Sequence, residues 1–229
     1  MIYIGMDDTD NLDSRGTGRL AREIAQDLSA DFTVTGVTRH QLLVDPRIPY
    51  TSHNSSATIS LDGTKQVDLE VLFERVKTLM LAGFVYGSDP GLCVAGAAAA
   101  AALSVFGRRA QREVLSQAEA RALAEAHGVL LAGLGGSQDG VIGALSAVGL
   151  AASGEDGRYL LVGRTRDLSG FHEVSAVLQA GISAVLTLDG QPVTHGLVQS
   201  EKLRPARRGG QPVLYVEWQD DYWQPLKLN

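Results

Sequence analysis

Residues 1–18 read MIYIGMDDTDNLDSRGTG, and this stretch decides the fold. The apolar run Met1–Met6 predicts a buried strand. Carboxylates crowd the positions directly after it: Asp7, Asp8, Asp10 and Asp13. Residues 19–28 carry apolar side chains at helical spacing (Leu20, Ile24 and Leu28). The segment therefore predicts a strand, an acidic loop and a helix, in that order.

Like charges repel, so an acidic loop at the end of a strand suggests a bound cation. Mg²⁺ is held in proteins by one or two carboxylates together with water and substrate phosphates. The glycine-flanked start of the helix, Gly16-Thr17-Gly18, would offer N–H groups and the positive end of the helix dipole to a phosphate. We therefore predict Asp7, Asp8 and Asp10 as Mg²⁺ ligands. The alternative is that Asp7 and Asp10 cap turns and that Asp8 is solvated.

Composition narrows the class of protein. The chain has 229 residues, a formal net charge of −6 and 45% hydrophobic residues, which is typical of a globular protein. An acidic chain is not expected to bind nucleic acid in general, although a local basic patch is compatible with it. One cysteine permits no internal disulfide, and no leader or membrane-spanning stretch is evident, so we expect a cytoplasmic protein with no membrane partner.

Helical and strand patterns alternate along the whole chain, which predicts a mixed α/β fold with a mixed sheet. Two of the predicted helices are Ala95–Phe106, ending at Gly107, and Phe171–Gln179. A change in composition near Arg166 suggests a division into residues 1–165 and a small C-terminal extension, 166–229.

Two further glycine-bearing loops, Gly87–Gly91 and Gly133–Gly140, lie between apolar elements, and each leads into a helix. Glycine lets the backbone approach a ligand closely, although each loop alone is equally explained as a plain turn. The predicted nucleotide contacts in these loops are Asp89, Gly91, Gly135, Gly136 and Ser137.

Basic residues form two groups in the sequence. One group, near the C-terminus, contains Lys202, Arg204, Arg207 and Arg208. The other, in and after the predicted strand Phe32–Leu43, contains Arg39, His40 and Arg47. Such side chains suit phosphate binding, or they balance the many acids on a solvated surface.

Four motifs, taken together, resemble the archaeal tRNA(Ile2) agmatinylcytidine synthetase family. Gly5–Asp10 (GMDDTD) is similar to the family's GIDDTD signature, and Asp45–Tyr50 (DPRIPY) to its NPxIPW/Y segment. Ser88–Gly91 (SDPG) resembles its (T/S)NPG loop, and Val141–Gly149 (VIGALSAVG) resembles its LIGALAAIG helix. The four occur in the family's order within residues 1–164.

The resemblance implies a kinase-like α/β domain combined with a ferredoxin-like domain, with ATP and Mg²⁺ as cofactors. It implies that Asp7, Asp8 and Asp10 hold Mg²⁺ and position the ATP phosphates. Gly16, Thr17 and Gly18 would then seat a phosphate. Phosphoryl transfer depends mainly on such positioning and charge stabilisation.

The sequence departs from the family in three ways. A threonine pair after the acids is reduced to Thr17, and a basic turn after the Asp45–Tyr50 segment is replaced by residues 51–55 (TSHNS). The family's OB-fold and zinc ribbon have no counterpart here, so we expect that tRNA is not bound unassisted.

The lead hypothesis is an ATP- and Mg²⁺-dependent phosphotransferase or ligase with an unidentified small acceptor. A homo-oligomer of this chain is compatible with the sequence. The alternatives are a non-catalytic nucleotide-binding regulatory module and a subunit of a split tRNA-modifying enzyme.

Overall fold

The computed structural model describes residues 1–10, 16–48, 54–64 and 66–228. Asp13 and the end of the predicted DPRIPY segment lie outside these residues, as does most of the 51–55 turn.

The described residues form helices and strands that alternate along the chain. The helices are α1 (Thr17–Leu28), α2 (Leu69–Gly83), α3 (Ala97–Ala102), α4 (Ser104–Ala110), α5 (Gln117–Ala126), α6 (Gly140–Ser153) and α7 (Val174–Gln179). The strands are β1 (Ile2–Asp7), β2 (Val34–Gln41), β3 (Ser55–Leu61), β4 (Gly91–Gly96), β5 (Leu130–Gly133), β6 (Arg158–Leu161), β7 (Phe171–Glu173), β8 (Ala184–Leu186), β9 (Leu197–Gln199), β10 (Ala206–Arg208), β11 (Gln211–Gln219) and β12 (Tyr222–Pro225).

The strands join in the order β5-β4-β1-β3-β2-β6-β10-β11-β12-β9-β7, with β8 added beside β11. Most neighbours are antiparallel, and β8 with β11 and β9 with β12 are parallel. The predicted mixed α/β fold with a mixed sheet is therefore confirmed.

Side chains of β1 alternate between two buried layers. Ile2, Ile4 and Met6 belong to a core shared with α1 and α2, and Tyr3 belongs to a second core shared with α4, α5 and α6. Asp7 follows Tyr3 and Gly5 on the α6 side of the sheet. The strand pattern thus places the first carboxylate against α6.

A third core lies in the C-terminal part of the chain. It is built from nine buried residues: Val174, Val177, Ile182, Val185, Val193, Val198, Leu203, Leu214 and Val216. The division at residues 165/166 remains a prediction, and strand pairing between β6 and β10 runs across it.

Helix α6 packs very close to the sheet because small residues line the contact. A Cβ on Gly5 would lie 2.1 Å from the Ala144 carbonyl oxygen, and a Cβ on Gly91 would lie 2.1 Å from Gly140. Only glycine allows this approach, which brings the first turn of α6 beside the end of β1.

The predicted helix Ala95–Phe106 is wrong in its limits. Residues 95 and 96 complete β4, and the helical part is divided at Leu103 into α3 and α4. Gly107 does not end the helix: it packs against Leu150 and the Ser146 carbonyl oxygen of α6, and α4 continues to Ala110.

The predicted helix Phe171–Gln179 is also corrected, because its first three residues form β7 and pair with β9. The short strands β10 and β12 were not predicted, since neither has enough residues to show a period. Among the described residues, no helix is both long enough and apolar enough to cross a membrane.

Candidate functional site

Asp7 ends β1 and points toward the first turns of α6. A Cβ on Gly143 would lie 1.7 Å from Asp7 Oδ2, so glycine at this position makes room for the carboxylate. Asp7 keeps a small exposed surface, but loss of hydration raises its pKa well above the usual value, and the charges of Asp8 and Asp10 raise it further. A hydrogen bond from the Asp8 backbone and the positive end of the α6 dipole both favour a charge here.

Asp8 has a left-handed backbone with φ of 49°, a conformation that Asp and Asn tolerate better than most residues. This conformation turns the chain out of β1. Partial burial, together with the charges of Asp89, Asp10 and Asp139, raises the pKa of Asp8 to about 6. The chain therefore gathers carboxylates from three loops at one place.

Asp10 occupies the start of α1. Its Oδ1 accepts a hydrogen bond from the Thr17 hydroxyl at 2.8 Å and from the Thr17 backbone N–H at 3.3 Å. The Thr17 hydroxyl also lies 3.2 Å from the Thr9 hydroxyl, which donates to it. Turn capping, the alternative interpretation of this acid, thus describes Asp10 but not Asp7.

The predicted phosphate seat at Gly16–Gly18 is therefore already engaged by a carboxylate. Gly16 precedes the helix with φ of 80°, and a Cβ on Gly18 would lie 2.6 Å from Leu160 Cδ1. Gly18 thus serves packing against β6. A phosphate at this helix start would have to displace Asp10 or be joined to it through a cation.

The carboxylates open into a cleft with a free volume of about 200 Å³. Its lining includes polar residues Asp7, Asp8, Asp10, Thr17, Arg47, Asn54, Ser55, Glu113 and Asp139, with apolar residues Leu42, Ile48, Ala110, Val114, Leu115 and Ile142. The acids of the lining come from the end of β1, the loop after it, the turn before α6 and Glu113, and most of the apolar residues come from positions 42–48 and 110–115. Such a cleft suits a ligand with an apolar or aromatic body and a cationic or metal-bound end.

The predicted contacts in the two glycine loops lie beside the cleft. Asp89 accepts hydrogen bonds from the Ser137 backbone N–H at 2.7 Å and the Ser137 hydroxyl at 3.0 Å. A Cβ on Gly136 would clash with Asp89, and Gly135 packs near Pro90. Gly91 packs on Gly140. These residues join the two loops to each other and are not part of the described lining of the cleft.

Sequence reasoning missed several lining residues, among them Asp139 and Glu113. Asp139 lies in the Gly133–Gly140 loop, in which Gly135, Gly136 and Ser137 were the contacts named. It accepts hydrogen bonds from Gln117 at 2.7 Å and from Ser137 at 2.9 Å. The presence of an acid in that loop could have indicated Asp139 as a residue of the site. Glu113, which follows α4, carries no local pattern that marks it.

The described side chains do not build a closed site for a resident metal ion. Within residues 1–10, 16–48, 54–64 and 66–228, no three His, Cys, Asp or Glu side chains are arranged to enclose a metal. Mg²⁺ needs fewer protein ligands, because water and substrate phosphates complete its shell. The aspartates therefore fit a cation that arrives with a phosphate better than a permanent protein cage.

The two predicted basic groups have different fates. Buried Arg207 donates to the Ala151 and Gly210 carbonyl oxygens and to the Tyr159 hydroxyl, so it is structural. Buried His40 contacts Asp156 through Nδ1 at 2.8 Å, and Arg47 pairs with Asp45. Arg204 donates to the Leu203 carbonyl oxygen at 2.9 Å and lies among other arginines.

Solved structures with similar folds were found by comparison. One is apo TiaS, tRNAIle2 agmatidine synthetase, at 23% identity and a TM-score of 0.56, covering 65% of this chain and 35% of that chain. Another is the TiaS–tRNA(Ile2)–ATP complex, at 25% identity and a TM-score of 0.57, covering 65% and 36%. A third is a tRNA fluorescent labeling enzyme, at 25% identity and a TM-score of 0.57, covering 65% and 35%.

This chain spans about a third of the length of those structures. No protein-family model matches the sequence, and no curated protein matches it either. The similarity was found in three dimensions, where strand order and helix placement are compared directly. The resemblance predicted from four short motifs is confirmed, and the chain has a TiaS-like fold related to the N-terminal part of tRNA(Ile2) agmatinylcytidine synthetase.

Proposed function

We propose that this chain binds ATP with Mg²⁺ in the acidic cleft and transfers a phosphoryl or nucleotidyl group to an acceptor, as a phosphotransferase or an ATP-dependent ligase. The observation that carries the proposal is the meeting of Asp7, Asp8 and Asp10 at the edge of one cleft, beside the starts of α1 and α6. A TiaS structure in complex with ATP and tRNA supports a nucleotide ligand for this fold.

The aspartates suit this chemistry because their mutual repulsion is relieved by a divalent cation. The pKa values of Asp7 and Asp8 are raised in the protein alone. Because a nearby cation favours the charged form of a carboxylate, bound Mg²⁺ would lower them again. When bound, Mg²⁺ would neutralise phosphate charge. The side chains would hold the reacting groups in place, which is most of what phosphoryl transfer requires of a protein.

The Gly16–Gly18 turn and the Asp89 loop have supporting parts in the proposal. Thr17, held by Asp10, would come within reach of a phosphate if Asp10 turned toward a cation. Asp89, Gly91, Gly135, Gly136 and Ser137 fix the loop that presents Asp139 and the α6 start to the cleft.

Isothermal titration of ATP, with Mg²⁺ and with EDTA, tests the metal and nucleotide assignments together. We expect Mg²⁺ to increase the affinity of the wild type for ATP. In Asp8→Asn, we expect the ratio of the affinity with Mg²⁺ to the affinity with EDTA to be at least tenfold smaller. Asn suits the left-handed backbone at this position, so the fold should persist. The matched control is Asp221→Asn, which removes an exposed acid from the turn between β11 and β12. Unchanged Mg²⁺-dependent affinity in Asp8→Asn would refute the assignment.

Two other functions remain candidates because the TiaS threonine pair and basic turn are missing here. A non-catalytic regulatory module would bind ATP without forming ADP, AMP or an adduct when mass spectrometry follows incubation with a metabolite pool. A subunit of a split tRNA-modifying enzyme would capture RNA or a zinc-ribbon partner in a pull-down. The expectation that tRNA is not bound unassisted has no support from the TiaS complexes with tRNA.

A further inference from the structure

Five arginines meet on the α1 side of the sheet, and none belongs to the cleft lining: Arg22, Arg39, Arg158, Arg166 and Arg204. We call them the arginine surface. They come from α1, β2, β6 and two loops of the C-terminal part, so no local stretch of sequence contains more than one of them.

Backbone geometry shows how the surface is assembled. Arg39 and Arg158 are direct cross-strand partners on β2 and β6. The Arg166 guanidinium donates to the Leu160 carbonyl oxygen at 3.2 Å, and the Arg22 guanidinium donates to the Gly18 carbonyl oxygen at 2.9 Å. Because Gly18 packs on Leu160, these two arginines lie close to the same strand.

Arg204 is brought to the surface by the chain that leads into β10. Its neighbour Pro205 accepts a hydrogen bond from the Tyr159 backbone N–H at 2.8 Å, which fixes this chain beside β6. Burial, together with the charges of Arg166, Arg22 and Arg158, lowers the pKa of Arg204 to about 10. These four cations are thus close enough for their charges to interact, and Arg39 is repelled by Arg158 across the strand pair.

Carboxylates do not neutralise this surface. Elsewhere in the chain arginines form ion pairs, as Arg75 does with Asp27 and Asp31. Among the described residues, no ion pair involves any member of the arginine surface, although the charge of Glu23 attracts Arg22. Glu23 itself is paired with Arg19. In a chain with net charge −6, acids were available to balance these cations.

The pairing of Arg39 with Arg158 is unfavourable without a ligand. Directly opposed like charges on adjacent strands are destabilising. The Arg158 Nε is in addition buried without a hydrogen-bond acceptor among the described residues, which adds to the cost. An anion bound at this surface would relieve the charge repulsion.

We infer that the arginine surface is a phosphate-binding site separate from the acidic cleft, and that the ligand which it binds is the acceptor substrate. The planar guanidinium forms paired hydrogen bonds to phosphate, and several arginines together suit a ligand with more than one phosphate. Assigning this ligand as the acceptor rests on the proposed function. The binding itself does not depend on that function.

The surface and the cleft are linked by one contact. Arg39 Nε donates to the Ser55 hydroxyl at 2.9 Å, and Ser55 lines the cleft. Ser55 therefore borders both sites, and a molecule whose phosphates lie on the arginines would meet the cleft at Ser55. The same phosphate chemistry occurs in an RNA strand and in a small polyphosphorylated compound.

The test uses a short fluorescein-labelled single-stranded RNA and inorganic pyrophosphate, both in buffer with EDTA and without ATP. We expect the wild type to bind a phosphate probe with salt-dependent affinity. Arg158→Gln combined with Arg204→Gln should weaken binding at least tenfold. For RNA it should also reduce the slope of log affinity against log salt by about 1.4, since each lost phosphate contact contributes roughly 0.7.

The matched control is Lys77→Gln combined with Arg112→Gln, which removes the same charge from helix α2 and from the turn after α4. This control should bind within about twofold of the wild type. RNA binding that pyrophosphate cannot displace would identify a polynucleotide ligand, and displacement by pyrophosphate would identify a small phosphate compound. Failure of both probes to bind the wild type, or equal weakening in both double variants, would overturn the inference.

Thermal melting separates binding from folding. Removing repelling charges should leave the Arg158→Gln, Arg204→Gln variant at least as stable as the wild type, whereas a structural role would lower its melting temperature. If that variant is unstable, Arg22→Gln with Arg166→Gln takes its place, and full phosphate affinity there would overturn the inference. Asp8→Asn should bind the phosphate probes normally, so failure of the nucleotide site is distinguishable from failure of this one.

Discussion

At the scale of single residues, several charged side chains lie where like charges repel them, which lowers the stability of the fold. Asp7 and Asp8 are held close together with raised pKa values, and the arginine surface, on the α1 side of the sheet, forms no ion pair with the carboxylates that the structure describes. In both places the backbone fixes the charges: a left-handed turn at Asp8, and cross-strand pairing of Arg39 with Arg158. Groups placed so that they repel are common at sites where a ligand supplies the opposite charge.

The raised pKa of Asp8 predicts a pH-dependent gain in stability for Asp8→Asn. The usual pKa is 3.8 and the folded value is about 6, so between these values the folded state binds more protons than the unfolded state. Stability therefore falls as the pH rises from about 4 to 6, and the penalty persists above 6. In EDTA, Asp8→Asn should melt a few degrees above the wild type at pH 8 and at the same temperature at pH 4.

Thermal melts across pH 4 to 8 would measure this gain, with Asp221→Asn as the control that should show none. A gain that is equal at both pH values would mean that repulsion at Asp8 is not its cause.

At the scale of elements, the position of α6 decides whether the cleft forms. Small residues let this helix lie against β1 and β4, and its first turns then reach Asp7. Ser56, Thr58 and Ser60 of β3 are buried with hydroxyls that have no hydrogen-bond partner among the described residues. Their small side chains add to the close approach, because larger residues in these positions would separate the helix from the sheet.

Gly5→Ala should strongly destabilise the fold. The new methyl group would lie 2.1 Å from the Ala144 carbonyl oxygen, so β1 and α6 would have to move apart. Overpacking of this kind costs about 3 kcal/mol or more, since backbone and not a flexible side chain must shift. Chemical denaturation would measure the loss.

Gly96→Ala is the control for this substitution, because a Cβ on Gly96 meets nothing within 4 Å and its φ is −73°. Its stability should change by no more than about 0.5 kcal/mol. Equal losses in the two variants would show that helix approach is not what Gly5 provides.

At the scale of the whole molecule, a buried polar network ties the helical layer to the middle of the sheet. Asp156 follows α6, contacts His40 of β2, and accepts a hydrogen bond at 2.8 Å from Gln111, which follows α4. His40 Nε2 is in turn 2.9 Å from the Thr38 hydroxyl. The network holds β2 and the ends of two helices together.

Asp156→Asn should weaken this tie. The new amide presents one oxygen, so either His40 or Gln111 faces an N–H group where it now meets an acceptor. A buried donor left unsatisfied costs about 1–3 kcal/mol. Denaturation should show this loss, and Asp221→Asn should not; an unchanged midpoint for Asp156→Asn would contradict the role of the network.

Local pattern predicted much of the fold because it reports local burial. The strand at Met1–Met6 and the helix that ends at Leu28 follow from apolar spacing, and both are present. The division of Ala95–Phe106 at Leu103 was not predictable in this way. Alanine favours helix throughout, and contact with α6 at Gly149 accompanies the break.

The sequence by itself determined that carboxylates follow the first strand and that a glycine-flanked helix comes after them, since both are properties of neighbouring residues. Only the tertiary structure decided that Asp10 caps that helix, that Asp139 and Glu113 join the cleft, and that arginines from five separate segments share one surface. The physical reason is that strand register and helix packing join residues far apart in the chain. Spacing along the sequence carries no record of those distances.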